Sequence, residues 1–136
     1  TGNEILEGRN ILLAEDNDLN AEIAEAILER AGLKTERVED GIQCVNRIEK
    51  MPAGTYDMIL MDIQMPVMDG YTATAALRSL RRDDAKTAII LAMTANVFSD
   101  DVIKAEASGM NGHISKPFDP DKLYAMIAAS CHKKRG

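Results

Sequence analysis

The sequence has little of what several classes of protein require. With 9 glycines and 4 prolines in 136 residues, it is neither collagen-like nor of low complexity. It has no run of about 18 apolar residues, so no membrane span is predicted, and its first ten residues lack the apolar segment of a signal peptide. It has no HExxH motif and no cluster of cysteine and histidine, so we expect no zinc site.

The composition that remains predicts a single acidic domain. Hydrophobic residues make up 46% of the chain, enough for a packed core, and a formal charge of −6 disfavours nucleic acid and anionic membranes as partners. Cys44 and Cys131 are far apart and outside any CxxC motif, so we expect reduced thiols in a cytoplasmic protein or in the cytoplasmic portion of a membrane sensor. We predict a domain over residues 9–130, with loose tails over residues 1–8 and 131–136.

Five apolar runs, whose starts lie 24 to 30 residues apart, predict strands that alternate with helices. Three of the runs are apolar on both alternating faces, as in strands covered by helices on both sides, whereas the second is polar enough for a sheet edge. We predict an α/β fold, a (βα)5 doubly wound parallel five-stranded sheet of order 2-1-3-4-5. The predicted strands are Asn10–Ala14, Lys34–Val38, Met58–Met61, Ala88–Met93 and His113–Ser115.

Helical spacing of apolar residues predicts the intervening elements. Gly32 and Gly109 are expected to end helices, whereas Asp119 and Pro120 are expected to begin the last one. The predicted helical segments are the stripe Ile23, Ile27 and Ala31 with Ala24 and Leu28 beside it, the stripe Ile42, Val45 and Ile48, the range Tyr71–Leu80 and the range Val97–Ser108.

Polar residues follow four of the predicted strands: Glu15 and Asp16 the first, Asp62 the third, Thr94 the fourth and Lys116 the fifth. Since parallel strands end at one edge of a sheet, we expect these side chains to converge. Three carboxylates repel one another unless Lys116 and a hard divalent cation such as Mg²⁺ offset their charge. A divalent cation, a lysine and a hydroxyl beside carboxylates are the groups that phosphoryl transfer uses. Asp62, at the end of the most central strand, is the predicted nucleophile.

Each of these residues alone has a plainer interpretation. An aspartate after a strand often begins a turn or caps a helix, Thr94 could cap the next helix, and Lys116 could be a surface lysine before a turn at Pro117. The acidic run from Glu15 to Asp18 could complement a helix dipole. Their joint placement at strand ends favours a functional site.

Four stretches of the chain resemble the receiver domain of two-component response regulators, and the resemblance extends over about Arg9 to Ala129. The run MDIQMPVMDGYTAT is most similar to receiver modules attached to hybrid sensor histidine kinases. The four stretches are ILLAEDN (Ile11–Asn17), MILMDIQMPVMDG (Met58–Gly70), LAMTAN (Leu91–Asn96) and GHISKPF (Gly112–Phe118).

The resemblance implies a phosphorelay function. Asp62 would accept a phosphoryl group from a phosphohistidine on a histidine kinase or a histidine phosphotransfer domain. Glu15, Asp16, Asp62 and the backbone carbonyl of Gln64 would hold Mg²⁺ or Mn²⁺. The domain would catalyse only its own phosphotransfer and dephosphorylation, and would not otherwise be an enzyme.

The resemblance also implies roles for residues that respond to the phosphoryl group. Thr94 and Lys116 would bind it, and the bond between Lys116 and Pro117 would be cis, since X-Pro bonds are where cis peptides are accessible. Gln64 and Asn96 occupy the two positions expected to tune dephosphorylation.

His113 stands where the family most often has a tyrosine or phenylalanine. We expect it to fill that switch position as a neutral ring; the alternative hypothesis is that its protonation biases the switch. Phosphorylation is expected to remodel the face formed by the fourth and fifth predicted helices and the fifth strand. A homodimer is a further possibility.

Other functions fit the sequence less well. An aspartyl phosphatase would carry a second aspartate two residues after the nucleophile, where this chain has Gln64. A flavodoxin-like FMN binder would have a phosphate loop after the first strand, and a degenerate module would lack acceptor residues. A stand-alone or DNA-binding response regulator, of which this chain is a fragment, is the main alternative to the hybrid kinase.

Overall fold

The computed structural model describes residues 6–95, 100–116 and 118–135, with side chains described as far as residue 130. Within these ranges one sheet of five parallel strands lies between helices. The strands are β1 (Asn10–Ala14), β2 (Lys34–Val38), β3 (Met58–Asp62), β4 (Ile90–Thr94) and β5 (Gly112–Ser115). The helices are α1 (Asp18–Arg30), α2 (Gly41–Lys50), α3 (Gly70–Arg78), α4 (Asp83–Thr87), α5 (Asp100–Ser108) and α6 (Pro120–Arg135).

The strand order is β2-β1-β3-β4-β5, which confirms the predicted topology. All pairs are parallel, with Leu12 opposite Ile59 and Leu60 opposite Leu91. Side chains alternate between two apolar clusters, one on each face, so that Leu12 and Leu60 lie on opposite sides. Each such buried side chain contributes about 1.5–3 kcal/mol through apolar burial. The predicted edge strand β2 lies at one edge of the sheet.

Side-chain caps fix where three of the helices begin. Asn17 accepts a hydrogen bond from the backbone N–H of Asn20 at 2.9 Å, and Asp69 accepts one from Thr72 at 2.8 Å. Asp40 caps α2 in the same way. Each cap satisfies one of the otherwise unpaired N–H groups of the first helical turn. The loops that follow β1, β2 and β3 therefore end at defined residues.

The largest difference from the predicted elements lies between β3 and β4. The predicted helix Tyr71–Leu80 is observed as α3, which ends at Arg78, and the short helix α4 was not predicted. Because α4 occupies Asp83–Thr87, the fourth strand begins at Ile90 and not at the predicted Ala88. Strand β3 extends one residue further than predicted, to Asp62.

Two apolar residues of the predicted stripes are not part of the core. Ile23 is 43% exposed and Ile42 is 41% exposed. The buried face of α1 is formed by Ala21, Ala24, Ile27 and Leu28, and Ala31 after the helix is buried as well, so the predicted stripe lies in the core except at Ile23. The range predicted from Val97 is described only from Asp100 onward, as α5.

Some described residues of both flanking segments belong to the core or to a helix. Leu6 is 1% exposed and belongs to the core, and the backbone N–H of Gly8 donates to the carbonyl of Gly32 at 2.8 Å. At the other end, α6 continues to Arg135. The division into a domain over residues 9–130 and two tails remains a prediction. None of the helices in the described ranges has the length and apolar character needed to span a membrane.

Gly70, the first residue of α3, brings this helix close to the end of β3. A Cβ atom at this position would lie 2.5 Å from the carbonyl oxygen of Asp62 and 2.9 Å from the Cα of Ile63. The Gly70 N–H donates to the carbonyl of Ile63 at 3.2 Å. A side chain here would push the start of α3 away from the backbone of Asp62 and Ile63. A rotamer change cannot relieve that clash, because the atoms it meets belong to the backbone.

We predict that Gly70→Ala lowers the free energy of unfolding by about 2–3 kcal/mol, because it overpacks two backbone segments. Gly112→Ala is the matched control, since its Cβ would meet only the ends of the Leu91 and Met126 side chains, at 3.2 and 3.8 Å. Urea unfolding followed by circular dichroism measures both. Equal losses for the two variants would contradict the close approach at Gly70.

Candidate functional site

The carboxyl edge of the sheet brings the predicted site residues into one cleft. Asp62 and Thr94 end β3 and β4, whereas Glu15 and Lys116 directly follow β1 and β5. The backbone N–H of Lys116 donates to the carbonyl of Thr94 at 2.8 Å, which fixes the last strand end against its neighbour. The cleft has a volume of about 560 Å³, and its walls include Glu15, Asp16, Asn17, Asp62, Gln64, Thr94, Asp101 and Lys116.

Lys116 pairs with two buried carboxylates. Its Nζ lies 2.7 Å from Oε1 of Glu15 and 3.2 Å from Oδ2 of Asp62. Glu15 is 1% exposed and Asp62 is 5% exposed, so neither negative charge is stabilised by bulk water. Buried charges are tolerated when they are paired and hydrogen-bonded. Among the described residues, Lys116 is the cation that pairs with both carboxylates.

Backbone donors hold the remaining oxygen of each buried carboxylate. The N–H of Asn17 donates to Oε2 of Glu15 at 3.2 Å, and the N–H of Gln64 donates to Oδ1 of Asp62 at 3.0 Å. Each carboxylate is thus contacted by a backbone N–H on one oxygen and by Lys116 on the other. This arrangement fixes the orientation of both groups before any ligand binds.

The surroundings shift the pKa values of the three groups in different directions. Burial, together with a hydrogen bond to Glu15, raises the pKa of Asp62 to about 7, against the lowering effect of the Gln64 N–H and of Lys116. Burial also acts to raise the pKa of Glu15, but hydrogen bonds with Asp62, Lys116 and the Asn17 N–H outweigh it and lower that pKa. Burial would lower the pKa of Lys116, but its contacts with both carboxylates raise it.

Three carboxylates in this cleft are close enough to share one metal ion. Single oxygens of Glu15, Asp16 and Asp62 all lie within 4.8 Å of one another, and Asp16 is the exposed member. The donors are oxygen atoms, which Mg²⁺ prefers, and the exposed side leaves room for water ligands. The donor set therefore fits a hard divalent cation.

The other predicted residues lie at different places. Thr94 is 3% exposed and lies in the cleft with Gln64. His113 lies in β5 and lines a separate groove beside α6, so the structure does not bring it into the cleft. Pro117 and Asn96 lie outside the described residues, so the cis peptide and the tuning role of Asn96 remain predictions.

Sequence reasoning missed contacts made by residues away from the ends of the central strands. The hydroxyl of Tyr71 donates to Oδ1 of Asp101 at 2.9 Å, which joins α3 to α5 beside the cleft. Arg37 of the edge strand β2 donates from Nε to the backbone carbonyl of Glu15 at 3.0 Å. Neither contact has a sequence signal, because both depend on which helix or strand end lies next to the site.

The fold and site together define a doubly wound α/β domain with a buried lysine–carboxylate cluster at the carboxyl edge of its sheet. The sequence matches the response regulator receiver domain family over residues 11–128. The chain belongs to this family, as the sequence motifs predicted, and so to two-component signal transduction.

Curated relatives include both kinases and transcription factors. The chain is 38% identical over 123 residues to the peroxide stress-activated histidine kinase mak1 of Schizosaccharomyces pombe, covering 89% of this chain and 7% of the kinase. It is 38% identical over 120 residues to the transcription factor SKN7 of Saccharomyces cerevisiae, covering 88% of this chain and 18% of that protein. The chain therefore spans less than a fifth of the length of either relative.

Solved receiver domains share the fold. The receiver domain of the sensor histidine kinase PA1611 from Pseudomonas aeruginosa, described with a magnesium ion coordinated in the active site cleft, has a TM-score of 0.83 and 37% identity. That match covers 92% of this chain and 98% of the other. The receiver domain of Ssk1 from Saccharomyces cerevisiae, crystallised with the phosphotransfer protein Ypd1, has a TM-score of 0.81 and 28% identity over 93% of this chain and 90% of that chain.

The raised pKa of Asp62 predicts a pH-dependent loss of stability without metal. The folded-state pKa is about 7 and the ordinary value is 3.8, so the folded state binds this proton more tightly and loses stability as the pH rises through that interval. We predict that Asp62→Asn stabilises the metal-free domain, and that its advantage over wild type is about 1–3 kcal/mol larger at pH 8 than at pH 5.

Urea unfolding in EDTA at the two pH values measures this difference. Asp69→Asn is the control, because asparagine retains the helix-capping acceptor of α3. A stability difference for Asp62→Asn that is the same at pH 5 and pH 8 would show that ionisation of Asp62 does not strain the fold.

Proposed function

We propose that this domain accepts a phosphoryl group on Asp62 from a phosphohistidine, and that the modification switches a signalling surface. The observation that supports it is the position of Asp62, a buried carboxylate at the end of β3, held by the Gln64 N–H and by Lys116. A carboxylate fixed at the floor of an open cleft is placed to act as a nucleophile.

In the proposed transfer, an oxygen of Asp62 forms a bond to phosphorus as the bond from phosphorus to the imidazole nitrogen of the donor breaks. The imidazole leaves with the electron pair of that bond and is then protonated. Lys116 stays beside the acceptor and balances the charge of the incoming group, while Thr94 offers a hydroxyl at the end of the neighbouring strand. The chain would carry out its own phosphorylation and dephosphorylation and no other reaction.

A divalent cation fits this scheme. Glu15, Asp16 and Asp62 would hold Mg²⁺ or Mn²⁺, together with the backbone carbonyl of Gln64. When bound, the cation neutralises negative charge on the phosphoryl oxygens and on the carboxylates. The magnesium ion described for the related PA1611 receiver supports this assignment.

The proposed donor is a histidine kinase or a histidine phosphotransfer domain, which the Ypd1 complex of the related Ssk1 receiver supports. The similarity to mak1 supports a hybrid sensor kinase as the parent, and the similarity to SKN7 supports a transcription regulator as the alternative. In either case we propose a cytoplasmic location for the domain, and we propose that neither nucleic acid nor a membrane is its partner.

Phosphorylation adds roughly −1.5 to −2 charges beside Lys116 and Thr94. We propose that Thr94 moves toward the phosphoryl group, while Lys116 pairs with it, and that His113 follows. Because His113 lies in β5 and lines the groove beside α6, its movement would alter the surface formed by α5, β5 and α6. Phosphorylation would shift the population between two conformations of this surface, and partners, including a second copy of the chain, would bind one of them preferentially.

We predict that acetyl phosphate with Mg²⁺ adds one phosphoryl group to the wild-type domain, seen as a mass increase in intact-protein mass spectrometry. Asp62→Asn should abolish the increase, because an amide is not a nucleophile for this transfer. Asp69→Asn, which changes another aspartate close in sequence but outside the cleft, should leave it unchanged. Equal phosphorylation of wild type and Asp62→Asn would refute the assignment.

His113 supplies a separate prediction. We propose that it fills the switch position as a neutral ring, so His113→Phe should leave the pH dependence of the beryllofluoride-bound population unchanged between about pH 5.5 and 8, a range in which an ordinary histidine titrates. Peak intensities of the two states in nuclear magnetic resonance spectra measure this population. A pH dependence that disappears in the variant would show instead that protonation of His113 biases the switch.

A further inference from the structure

Arg37 connects the edge strand β2 to the loop that carries the acidic residues. Its Nε donates to the backbone carbonyl of Glu15 at 3.0 Å, and its Nη1 pairs with Oδ1 of Asp18 at 2.9 Å. The side chain is 20% exposed, whereas Asp18 is 84% exposed. The backbone N–H of Glu15 also donates to the carbonyl of Val38 at 3.1 Å, so the end of β2 holds both backbone polar groups of Glu15.

The two contacts of Arg37 lie on either side of Asp16. Glu15 and Asp18 mark the start of the loop and the first residue of α1, and Asp16 lies between them. Asp16 is exposed, and among the described residues its side chain has no hydrogen-bond or ion-pair partner. The direction of its carboxylate therefore depends on the backbone of this short loop, which Arg37 fixes at both ends.

We propose that Arg37 is a positioning residue for the metal site: its guanidinium clamps the loop from Glu15 to Asp18 and so orients Asp16 toward the cation. The inference rests on the proposed function, since it assumes that the three carboxylates bind a divalent cation.

The planar guanidinium is essential to this role. It reaches a carbonyl and a carboxylate with two different nitrogens, which a lysine ammonium on a single stem cannot do in the same geometry. Its remaining nitrogen, Nη2, is buried and has no hydrogen-bond partner among the described residues. The group is thus enclosed by the fold and is not a mobile surface charge.

The positive charge of Arg37 provides a way to separate geometry from electrostatics. A cation near the site repels Mg²⁺, so a role through charge alone predicts that removing the charge tightens metal binding. A role through positioning predicts the opposite, because partners that orient metal ligands typically contribute about 10- to 100-fold in affinity. Arg37→Lys keeps the charge and loses the two-point clamp.

Calorimetric titration of the full chain with Mg²⁺ tests the proposal, alongside urea unfolding in EDTA. Arg37→Lys should weaken Mg²⁺ binding by about 10-fold, and Arg37→Gln should weaken it as well. Asp18→Asn, at an exposed position where folding is not at risk, should weaken it less, and combining it with Arg37→Lys should add little. Arg47→Lys, which alters the surface pair of Arg47 and Glu36, is the control and should leave the affinity unchanged.

Two results would overturn the proposal. Tighter binding in Arg37→Gln with unchanged binding in Arg37→Lys would show a charge effect alone. Lower stability in every clamp variant with unchanged Mg²⁺ affinity would show a purely structural role. Failure of the proposed function is recognised separately, because wild type and Asp62→Asn would then bind Mg²⁺ equally or not at all.

Discussion

Two buried carboxylates that share one lysine are the interaction on which this structure depends. Without Lys116, Glu15 and Asp62 would face each other with little exposure to bulk water, and the pKa of Asp62 would rise further, because the lysine acts to lower it. The lysine reaches both carboxylates because β5, which precedes Lys116, ends at the same edge of the sheet as β1 and β3, which carry Glu15 and Asp62 at their ends. The charge balance therefore requires the doubly wound order, in which β1, β3, β4 and β5 finish at a common edge.

This cluster has fewer positive than negative charges, and that imbalance matters for its proposed function. One ammonium group faces three carboxylates, so the site retains excess negative charge and favours a divalent cation. Phosphorylation would change that balance again by adding charge on Asp62. Under the proposed function, the same arrangement would bind a metal ion, direct a phosphoryl group to Asp62 and respond to its arrival, with no change of fold.

Much of this arrangement could be predicted from the sequence, and for a physical reason. Strands covered on both faces are apolar, so the polar residues Asp62 and Lys116 at their ends stand out, and parallel topology brings them together. The helix α4 could not be predicted, because four polar residues and a single alanine before a strand carry no periodic signal. The exposed position of Ile23 was missed because residues four apart in a helix differ by about 40° in direction, which places Ile23 at the margin of the buried face that Ile27 shares.

The contacts that position the site were harder still to predict. Arg37 lies in a mostly polar edge strand, where a charged residue carries no particular signal. Its proposed role depends on how close its guanidinium lies to the Glu15 carbonyl in the folded chain. Tyr71 and Asp101 are joined only because α3 and α5 pack side by side. Sequence patterns identify groups that perform chemistry more readily than groups that hold them in place.

The most direct test of the account locates the modified residue itself. The domain is phosphorylated by a phosphohistidine donor and treated with borohydride, which reduces an acyl phosphate of aspartate to homoserine, and its peptides are then sequenced by mass spectrometry. The account predicts homoserine at position 62 and unmodified Glu15 and Asp16. Reduction at either of those residues instead, or a phosphoryl group that resists borohydride, would contradict the central claim that Asp62 is the acceptor.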